Sequence, residues 1–254
     1  MNDWALITGA TSGIGLELAR ILAANHYNLV IVARHEDRLN EVARELRSRH
    51  GIEVKVVRKD LAFPGAPQEL FDALRDTPVS VLVNNAAFGL YGPFAKNDLR
   101  VQTDIMRVNM TALVELTHLF VQPMLARRSG RILNVASMAA FQPGPTVNVY
   151  YASKAFVHSF SYALAMELDG TGVTVTTLCP GTTRTEFFKR AKMTIARDWM
   201  VADPRSVAQA GYRGMMLGKR VVIPGLLNQM IAFLGKRVPV CMASAAARKM
   251  HQPK

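Results

Sequence analysis

A tyrosine and a lysine are spaced so that they could carry out acid–base chemistry together. Tyr150 and Lys154 are four residues apart, and the apolar residues that follow recur at a spacing that predicts a helix over residues 153–170. Residues four apart lie on one face of a helix, so we expect the ammonium group to lie beside the phenol. A neighbouring positive charge stabilises the phenolate and lowers the phenol pKa, which would make Tyr150 usable as a general acid or base.

Two other residues bear on this chemistry. Tyr151 is the alternative partner of Lys154, but its spacing of three residues fits the pairing less directly. Ser137 ends a strand predicted over residues 131–137, and ligands of open α/β sheets bind at the carboxyl ends of the strands. Its hydroxyl either caps a turn or hydrogen-bonds a substrate carbonyl and stabilises the charge that develops on the oxygen. No His or Asp accompanies a G-x-S-x-G motif, so the sequence does not support a hydrolase triad.

A glycine-rich segment near the start of the chain has the features of a nucleotide-binding turn. Residues 4–8 predict a buried strand and residues 14–24 a helix, with the glycines between them. Glycine lets the backbone approach a pyrophosphate, and the helix N-terminus supplies unpaired N–H groups and a partial positive charge. The predicted contacts are Gly9, Thr11, Ser12, Gly13, Ile14 and Gly15.

Six motifs follow one another between residues 4 and 185. They are the glycine-rich segment 8–15, Asn84-Asn85-Ala86-Ala87, Asn109, Ser137, Tyr150 with Lys154, and Pro180-Gly181. In this order they resemble the short-chain dehydrogenase/reductase superfamily. The resemblance implies one Rossmann-type, doubly wound α/β domain over residues 1–254, with a parallel sheet of about seven strands and helices on both faces. It also implies an enzyme that transfers a hydride between a nicotinamide cofactor and a carbonyl or secondary alcohol.

The resemblance further implies a role for each of these residues. In the direction of reduction, Ser137 would polarise the carbonyl and Tyr150 would donate the proton. Lys154 would lower the phenol pKa and hold the nicotinamide ribose, while Asn109 would maintain a local backbone distortion and a proton path to solvent. The implied cofactor contacts beyond the glycine-rich turn are Asp60, Leu61, Asn85, Ala86, Tyr150, Lys154, Pro180, Gly181, Thr183 and Thr185. Ala87 is a departure, because the family usually has glycine there.

The end of the second predicted strand, residues 28–33, bears on the choice of cofactor. An acidic residue at this point accepts the ribose hydroxyls of NAD, whereas an arginine pairs with the 2′-phosphate of NADP. This chain has Ala33 followed by Arg34, with Arg38 four residues later. We therefore predict that Arg34 and Arg38 favour NADP(H). The alternative is that Arg34 only begins the helix predicted over residues 36–49.

Composition excludes several classes of protein. The chain has 254 residues without a Ser/Gly/Pro-rich linker, and it is 50% hydrophobic and 20% charged, which is typical of one globular domain rather than a disordered chain. Two cysteines form neither a disulfide framework nor a metal-ligand cluster, and the histidines lack metal-ligand spacing, so we expect no metal and a reducing compartment. The first strand begins so early that we expect no targeting peptide and a cytoplasmic location.

The net charge of +12 lies mostly after residue 183. This part of the chain is either a solvated basic face or a surface for an anionic substrate, carrier or membrane. Residues 219–254 predict a strand, a short helix and a basic tail. The apolar run over residues 226–234 is too short to span a bilayer, and peripheral membrane contact stays an open alternative. No nucleic-acid motif or aromatic platform accompanies the charge, so nucleic acid is not an expected partner.

The expected substrate is a hydrophobic ketone or secondary alcohol, such as a 3-ketoacyl thioester or a steroid-like ketone. Apolar residues are predicted near the site at Met138, Phe141, Val147 and Phe187. Residues 186–202 resemble the family's substrate lid, and the alternative is an ordinary surface helix. The helices predicted over residues 99–125 and 153–170 resemble the surfaces through which the family forms homo-oligomers. A competing hypothesis is a non-catalytic, NADP-binding regulatory or scaffold protein, which the presence of all four proposed catalytic residues argues against.

Overall fold

Seven short, mostly apolar runs form one parallel sheet in the computed structural model, which describes residues 3–187, 191 and 201–235. The strands are β1 Trp4–Thr8, β2 Asn28–Ala33, β3 Val54–Arg58, β4 Val79–Asn84, β5 Gly130–Val135, β6 Val173–Leu178 and β7 Val221–Val222. Their order in the sheet is β3-β2-β1-β4-β5-β6-β7, and each neighbouring pair is parallel. The helices are α1 Gly13–Ala24, α2 Glu36–His50, α3 Ala66–Ala73, α4 Leu99–Met106, α5 Ala112–Ala126, α6 Asn148–Glu167, α7 Pro204–Met216 and α8 Leu226–Gly235.

Helices cover both faces of the sheet because successive residues of a strand point to opposite faces. In β1, Ala5 and Ile7 belong to a buried cluster that also includes residues of α1, α2 and α7. Trp4 and Leu6 point the other way and belong to a second cluster, with residues of α3, α5 and α6. A parallel sheet is buried on both faces, which explains why its strands are almost continuously apolar in sequence. The predicted doubly wound α/β fold is confirmed.

The order of the strands reverses between β1 and β4. The chain runs from β1 outward to β2 and β3, and then returns to place β4 on the other side of β1. Ligands of such sheets bind in the crevice that opens at the carboxyl ends of the strands at this point. The hydroxyl of Thr8 joins the two strand ends, because it accepts hydrogen bonds from the backbone N–H groups of Asn85 and Ala86, each at 3.0 Å.

The long helix predicted over residues 99–125 is interrupted. It consists of α4 and α5, which are joined by a π-helical turn over Arg107–Thr111. Asn109 lies in this turn, and its side chain exchanges two hydrogen bonds with the backbone of Phe88 instead of facing solvent. A π-helical turn is a local distortion of the kind that the resemblance implies at this residue.

The elements that carry the proposed catalytic residues also differ from prediction at their ends. Helix α6 begins at Asn148 rather than at residue 153, so Tyr150 lies inside its first turn. Strand β5 ends at Val135, and Ser137 is the N-cap of a short 3₁₀ helix over Met138–Phe141. The predicted strand is too long because the apolar run continues past the residue at which pairing with β6 stops.

In the C-terminal region the structure has the strand β7 and the helix α8. Within residues 3–187, 191 and 201–235, no helix is both long and apolar enough to cross a bilayer. The basic tail after residue 235 lies outside the described residues, as does most of the lid predicted over residues 186–202.

Candidate active site

The side chains of Ser137 and Tyr150 meet at the carboxyl edge of the sheet. Ser137 follows β5, and Tyr150 lies in the first turn of α6, which packs against the 3₁₀ helix that Ser137 begins. A side-chain hydrogen bond joins the two residues. The Ser137 hydroxyl also accepts a hydrogen bond from the backbone N–H of Ala139 at 3.1 Å. The two interpretations of Ser137, turn cap and reactive hydroxyl, are therefore compatible.

Burial dominates the acidity of Tyr150. Removal from water raises the pKa of its phenol from 10.0 to about 12, and the hydrogen bond with Ser137 lowers that pKa only in part. The sequence predicts that Lys154 lowers the pKa of this phenol, and no such lowering is seen. The lysine Nζ lies 5.7 Å from the centroid of the phenol ring and donates to the Val135 carbonyl at 2.7 Å. The phenol is therefore protonated at neutral pH, which is the form that a proton donor requires.

Lys154 is a buried cation, with only 3% of its surface exposed. Burial lowers the pKa of its ammonium group to about 8, because low-dielectric surroundings disfavour charge. At pH 7 the group is still mostly protonated. The buried Cys179 interacts with Lys154, but burial raises the pKa of this thiol to about 12, so it is not a reactive thiolate.

Asn109 supports the site from behind. Its side chain is 1% exposed and donates from Nδ2 to the Ser153 hydroxyl at 3.0 Å. The Ser153 hydroxyl in turn donates to the backbone carbonyl of Tyr150 at 2.7 Å. These bonds link the π-helical turn to the first turn of α6, and so hold the backbone of Tyr150 in place.

The glycine-rich turn packs so closely on two neighbouring loops that it has little room for side chains. Gly9 and Gly13 have φ angles of +69° and +57°, a conformation that other residues rarely adopt. A Cβ at Gly9 would lie 2.8 Å from Asn85 Nδ2, and one at Gly13 would lie 2.7 Å from Thr185 Cγ2. Helix α1 begins at Gly13, so its free N–H groups are available at the turn. These features fit the pyrophosphate of a dinucleotide.

We expect Gly15→Ala to lower the free energy of unfolding by about 3 kcal/mol. The added Cβ would overlap the side-chain amide of Asn85 and the carbonyl of Gly9, which hydrogen-bond each other. Urea unfolding would measure the loss. Gly51→Ala is the control, because Gly51 has a φ of +64° and open space around its Cβ, so conformational strain alone should cost about 1 kcal/mol. Equal losses at both positions would contradict the overlap.

A cavity of about 350 Å³ opens at the carboxyl ends of the strands. The structure brings most of the predicted site residues to its wall: Gly9, Thr11, Ser12, Gly13, Ile14, Arg34, Asp60, Leu61, Asn85, Ala86, Ser137, Tyr150, Lys154, Pro180, Gly181, Thr183 and Thr185. Ala87 also lines the cavity. In the part of the chain that the structure describes, no group of three His, Cys, Asp or Glu side chains could hold a metal ion.

Some predicted residues are not brought to the cavity. Gly15 and Asn109 lie behind its wall, where they pack and hydrogen-bond. Arg38 is exposed on α2 and does not line the cavity. The buried residues of that helix are Leu39, Val42, Ala43 and Leu46. Arg34 and Arg38 are close in sequence, but only Arg34 lines the cavity.

Other lining residues are not evident from the sequence. Lys59, His35 and Gln142 belong to the cavity wall. Lys59 has one recognisable signal, since it follows the end of a strand as Arg34 does. His35 and Gln142 lie in loops whose course the sequence does not indicate.

Comparison with protein families decides the identity of the chain. The family model described as short chain dehydrogenase matches residues 3–195, which is well over half of the 254 residues. This chain belongs to the short-chain dehydrogenase family. The predicted enzyme class, an oxidoreductase of this family, is thereby confirmed.

Curated relatives of this short-chain dehydrogenase have names that refer to different alcohols and carbonyl compounds. It is 33% identical over 184 residues to 7β-hydroxysteroid dehydrogenase of Collinsella aerofaciens, covering 72% of this chain and 70% of the relative. It is 40% identical over 191 residues to sulfoacetaldehyde reductase 2 of Chromohalobacter salexigens, covering 74% and 75%. It is 38% identical over 185 residues to very-long-chain 3-oxoacyl-CoA reductase of Phaeosphaeria nodorum, covering 68% of this chain but only 53% of that protein.

Solved structures resemble this short-chain dehydrogenase over nearly its whole length. A short-chain dehydrogenase from Sphingobium yanoikuyae in complex with NADPH is 29% identical, with a TM-score of 0.85 and coverage of 99% of this chain and 98% of that one. A structure from work on 7β-hydroxysteroid dehydrogenase stereoselectivity is 28% identical, with a TM-score of 0.89 and coverage of 96% of both chains. The sheet and helices described above are therefore those of the family.

Proposed function

We propose that this short-chain dehydrogenase interconverts a hydrophobic ketone and a secondary alcohol, with NADP(H) as the cofactor and Tyr150 as the general acid or base. The observation that carries the proposal is that the hydrogen-bonded pair Ser137 and Tyr150 shares one cavity with Lys154, Arg34 and the glycine-rich turn. NADPH supplies the hydride when bound. The residues of this chain orient the reactants, exclude water and handle the proton.

In the reductive direction, the hydroxyls of Ser137 and Tyr150 hold the carbonyl oxygen of the substrate. Ser137 donates a hydrogen bond that stabilises the developing negative charge, and Tyr150 transfers the proton from its Oη to the same oxygen. The pKa of about 12 keeps this proton on the phenol until charge develops on the substrate. In the oxidative direction the phenol must first lose its proton, so oxidation requires a higher pH than reduction.

Lys154 places a positive charge beside the reacting centre. Its Nζ lies 5.7 Å from the centroid of the Tyr150 ring and the residue lines the cavity, so we assign Lys154 to holding the nicotinamide ribose rather than to lowering the phenol pKa. Asn109 acts through Ser153 and the backbone carbonyl of Tyr150, and is therefore a positioning residue.

The cavity wall near the catalytic pair is apolar, which supports a hydrophobic substrate. The ring centroid of Phe187 lies 4.8 Å from that of Tyr150, and Met138 and Phe88 line the same space. Phe141 and Val147, which the sequence also suggests, do not line it. Two relatives have names that refer to a hydroxysteroid and to a very-long-chain 3-oxoacyl compound, and both compounds are hydrophobic, as this wall is. Sulfoacetaldehyde is a small anionic aldehyde, so a substrate panel should include anionic carbonyl compounds.

Arg34 supports NADP(H) as the cofactor. It is exposed, lines the cavity and follows Ala33, so no carboxylate occupies the position that would accept the ribose hydroxyls of NAD. The Sphingobium neighbour, solved with NADPH, is consistent with this preference.

We expect Arg34→Ala to raise the Kd for NADPH about tenfold and the Kd for NADH less than about twofold, because only NADPH carries the phosphate that the guanidinium pairs with. Fluorescence titration of each reduced nucleotide would measure both constants. Arg38→Ala is the matched control, since this arginine is exposed and off the cavity, and it should change neither constant. Equal affinity of the wild-type protein for both nucleotides would contradict the proposed preference.

Exposed apolar side chains on α6 support the predicted homo-oligomer. Phe156, Tyr162 and Met166 are all exposed on this helix. Several large apolar side chains on one exposed surface are typical of protein–protein contacts.

The cytoplasmic location stays a prediction from the sequence.

A further inference from the structure

Lys59 and Arg34 follow neighbouring strands and begin side by side. β2 and β3 pair in parallel with Ala33 opposite Arg58, and the backbone N–H of Lys59 donates to the Ala33 carbonyl at 2.9 Å. Arg34 directly follows the last residue of β2, and Lys59 directly follows the last residue of β3. Neighbouring strands lie about 4.8 Å apart, so the two cationic side chains start close together. Both of them line the cavity.

The two cations differ in their partners. The Nζ of Lys59 forms an ion pair with a carboxylate oxygen of Glu69 at 2.7 Å, and the Glu69 side chain is 65% exposed. Across residues 3–187, 191 and 201–235, no ion pair of Arg34 is found. Like charges repel, so the lysine and the arginine gain nothing from proximity alone. A dianion bound between them would make their proximity favourable.

We propose that Lys59 and Arg34 together bind the 2′-phosphate of NADP(H), with Lys59 as a second residue that determines cofactor specificity. This inference rests on the proposed function, which assigns NADP(H) to the cavity through Arg34. A phosphate monoester carries nearly two negative charges at pH 7, and one guanidinium neutralises only one of them. Arginine holds two phosphate oxygens in its planar fork, while a lysine ammonium supplies a point charge to a third.

Glu69 affects how much of the Lys59 charge the phosphate receives. Its carboxylate is the present partner of the ammonium group, and it would also repel a phosphate that approaches the same group. The pair is partly exposed to water, so the bond between Lys59 and Glu69 is weak and can rearrange. Removing this carboxylate should therefore preserve or strengthen NADPH binding.

Titrations of NADPH and NADH into four proteins test the role of Lys59: the wild type, Lys59→Gln, Glu69→Gln and Arg58→Gln. We expect Lys59→Gln to raise the Kd for NADPH about tenfold at low salt and the Kd for NADH less than about twofold. Arg58→Gln removes the same charge one residue earlier, from an exposed position off the cavity, and should change neither constant. Glu69→Gln should leave the Kd for NADPH unchanged or lower it.

Three outcomes would overturn this role of Lys59 and leave the proposed cofactor preference intact. If Glu69→Gln weakens NADPH binding as much as Lys59→Gln, the ion pair rather than the lysine charge is what matters. If Lys59→Gln weakens both nucleotides alike, the lysine has a structural role. If Lys59→Gln leaves NADPH binding unchanged while Arg34→Ala weakens it, the proposed cofactor preference stands without Lys59. Equal binding of NADPH and NADH by the wild-type protein would instead refute the cofactor preference itself, and the Lys59 role with it.

Discussion

Tyr150→Phe should lower kcat/KM for ketone reduction about a thousandfold and leave the Kd for NADPH within about twofold of the wild-type value. The substitution removes the proposed proton donor and the hydrogen bond with Ser137, but keeps the ring, whose centroid lies 4.8 Å from that of Phe187. Steady-state assays would measure kcat/KM with the best substrate from a panel of neutral and anionic ketones. Fluorescence titration would measure the Kd for NADPH, and a large change in that constant would indicate that the ring rather than the proton is what the site requires.

Tyr151→Phe is the matched control, because it removes the same hydroxyl from the next residue. Tyr151 belongs to a small buried cluster with Ala139 and Val147, and its ring fills the space beside Gly144. We expect kcat/KM of this variant to fall less than about fivefold, since the packing of the ring is preserved. If Tyr151→Phe were inactive and Tyr150→Phe active, the proton donor would be Tyr151.

Much of the candidate site could be predicted because its motifs follow the ends of parallel strands. Gly9 follows β1, Asn85 follows β4 and Ser137 follows β5. Apolar runs locate the strands in the sequence, and the carboxyl ends of parallel strands share one edge of the sheet. The order of the motifs is therefore enough to bring these residues together, even though no distance between them can be derived from it.

The acidity of Tyr150 and Lys154 could not be predicted in this way. The spacing of Tyr150 and Lys154 indicates that they are neighbours, but the direction of the shift in the phenol pKa depends on burial. Burial is produced by residues that are distant in sequence. Lys154 donates to the carbonyl of Val135, which lies 19 positions earlier, and no helical period reveals that contact.

The basic residues near the cavity show that strand register matters more than distance along the chain. Arg38 is close to Arg34 in sequence but faces solvent on α2. Lys59 is far from Arg34 in sequence but adjacent to it across the pairing of β2 with β3. The sequence predicts both strands but not how they pair, so it favours Arg38 and misses Lys59.

Lys154→Met is expected to remove most of the activity and to change how stability depends on pH. Burial holds the pKa of the ammonium group at about 8 in the folded protein, against 10.5 for an exposed lysine. Between these values the unfolded chain binds more protons than the folded protein, so the stability of the wild-type protein rises as the pH increases. Below pH 8 the penalty for burying the charge is fully present, and it amounts to about 3 kcal/mol.

Methionine retains most of the apolar length of lysine without its charge, so the variant lacks this dependence on pH. We expect the free energy of unfolding of the wild type, relative to Lys154→Met, to rise by about 2 to 3 kcal/mol between pH 7 and pH 10. The lost hydrogen bond to Val135 affects the variant similarly at both pH values, so it does not alter this change. Urea unfolding of both proteins at the two pH values would measure it. If the difference in free energy of unfolding between the two proteins were the same at both pH values, the burial penalty would be contradicted. The predicted rise, together with a loss of activity of about a hundredfold, would mean that the site keeps a destabilising charge because catalysis needs it.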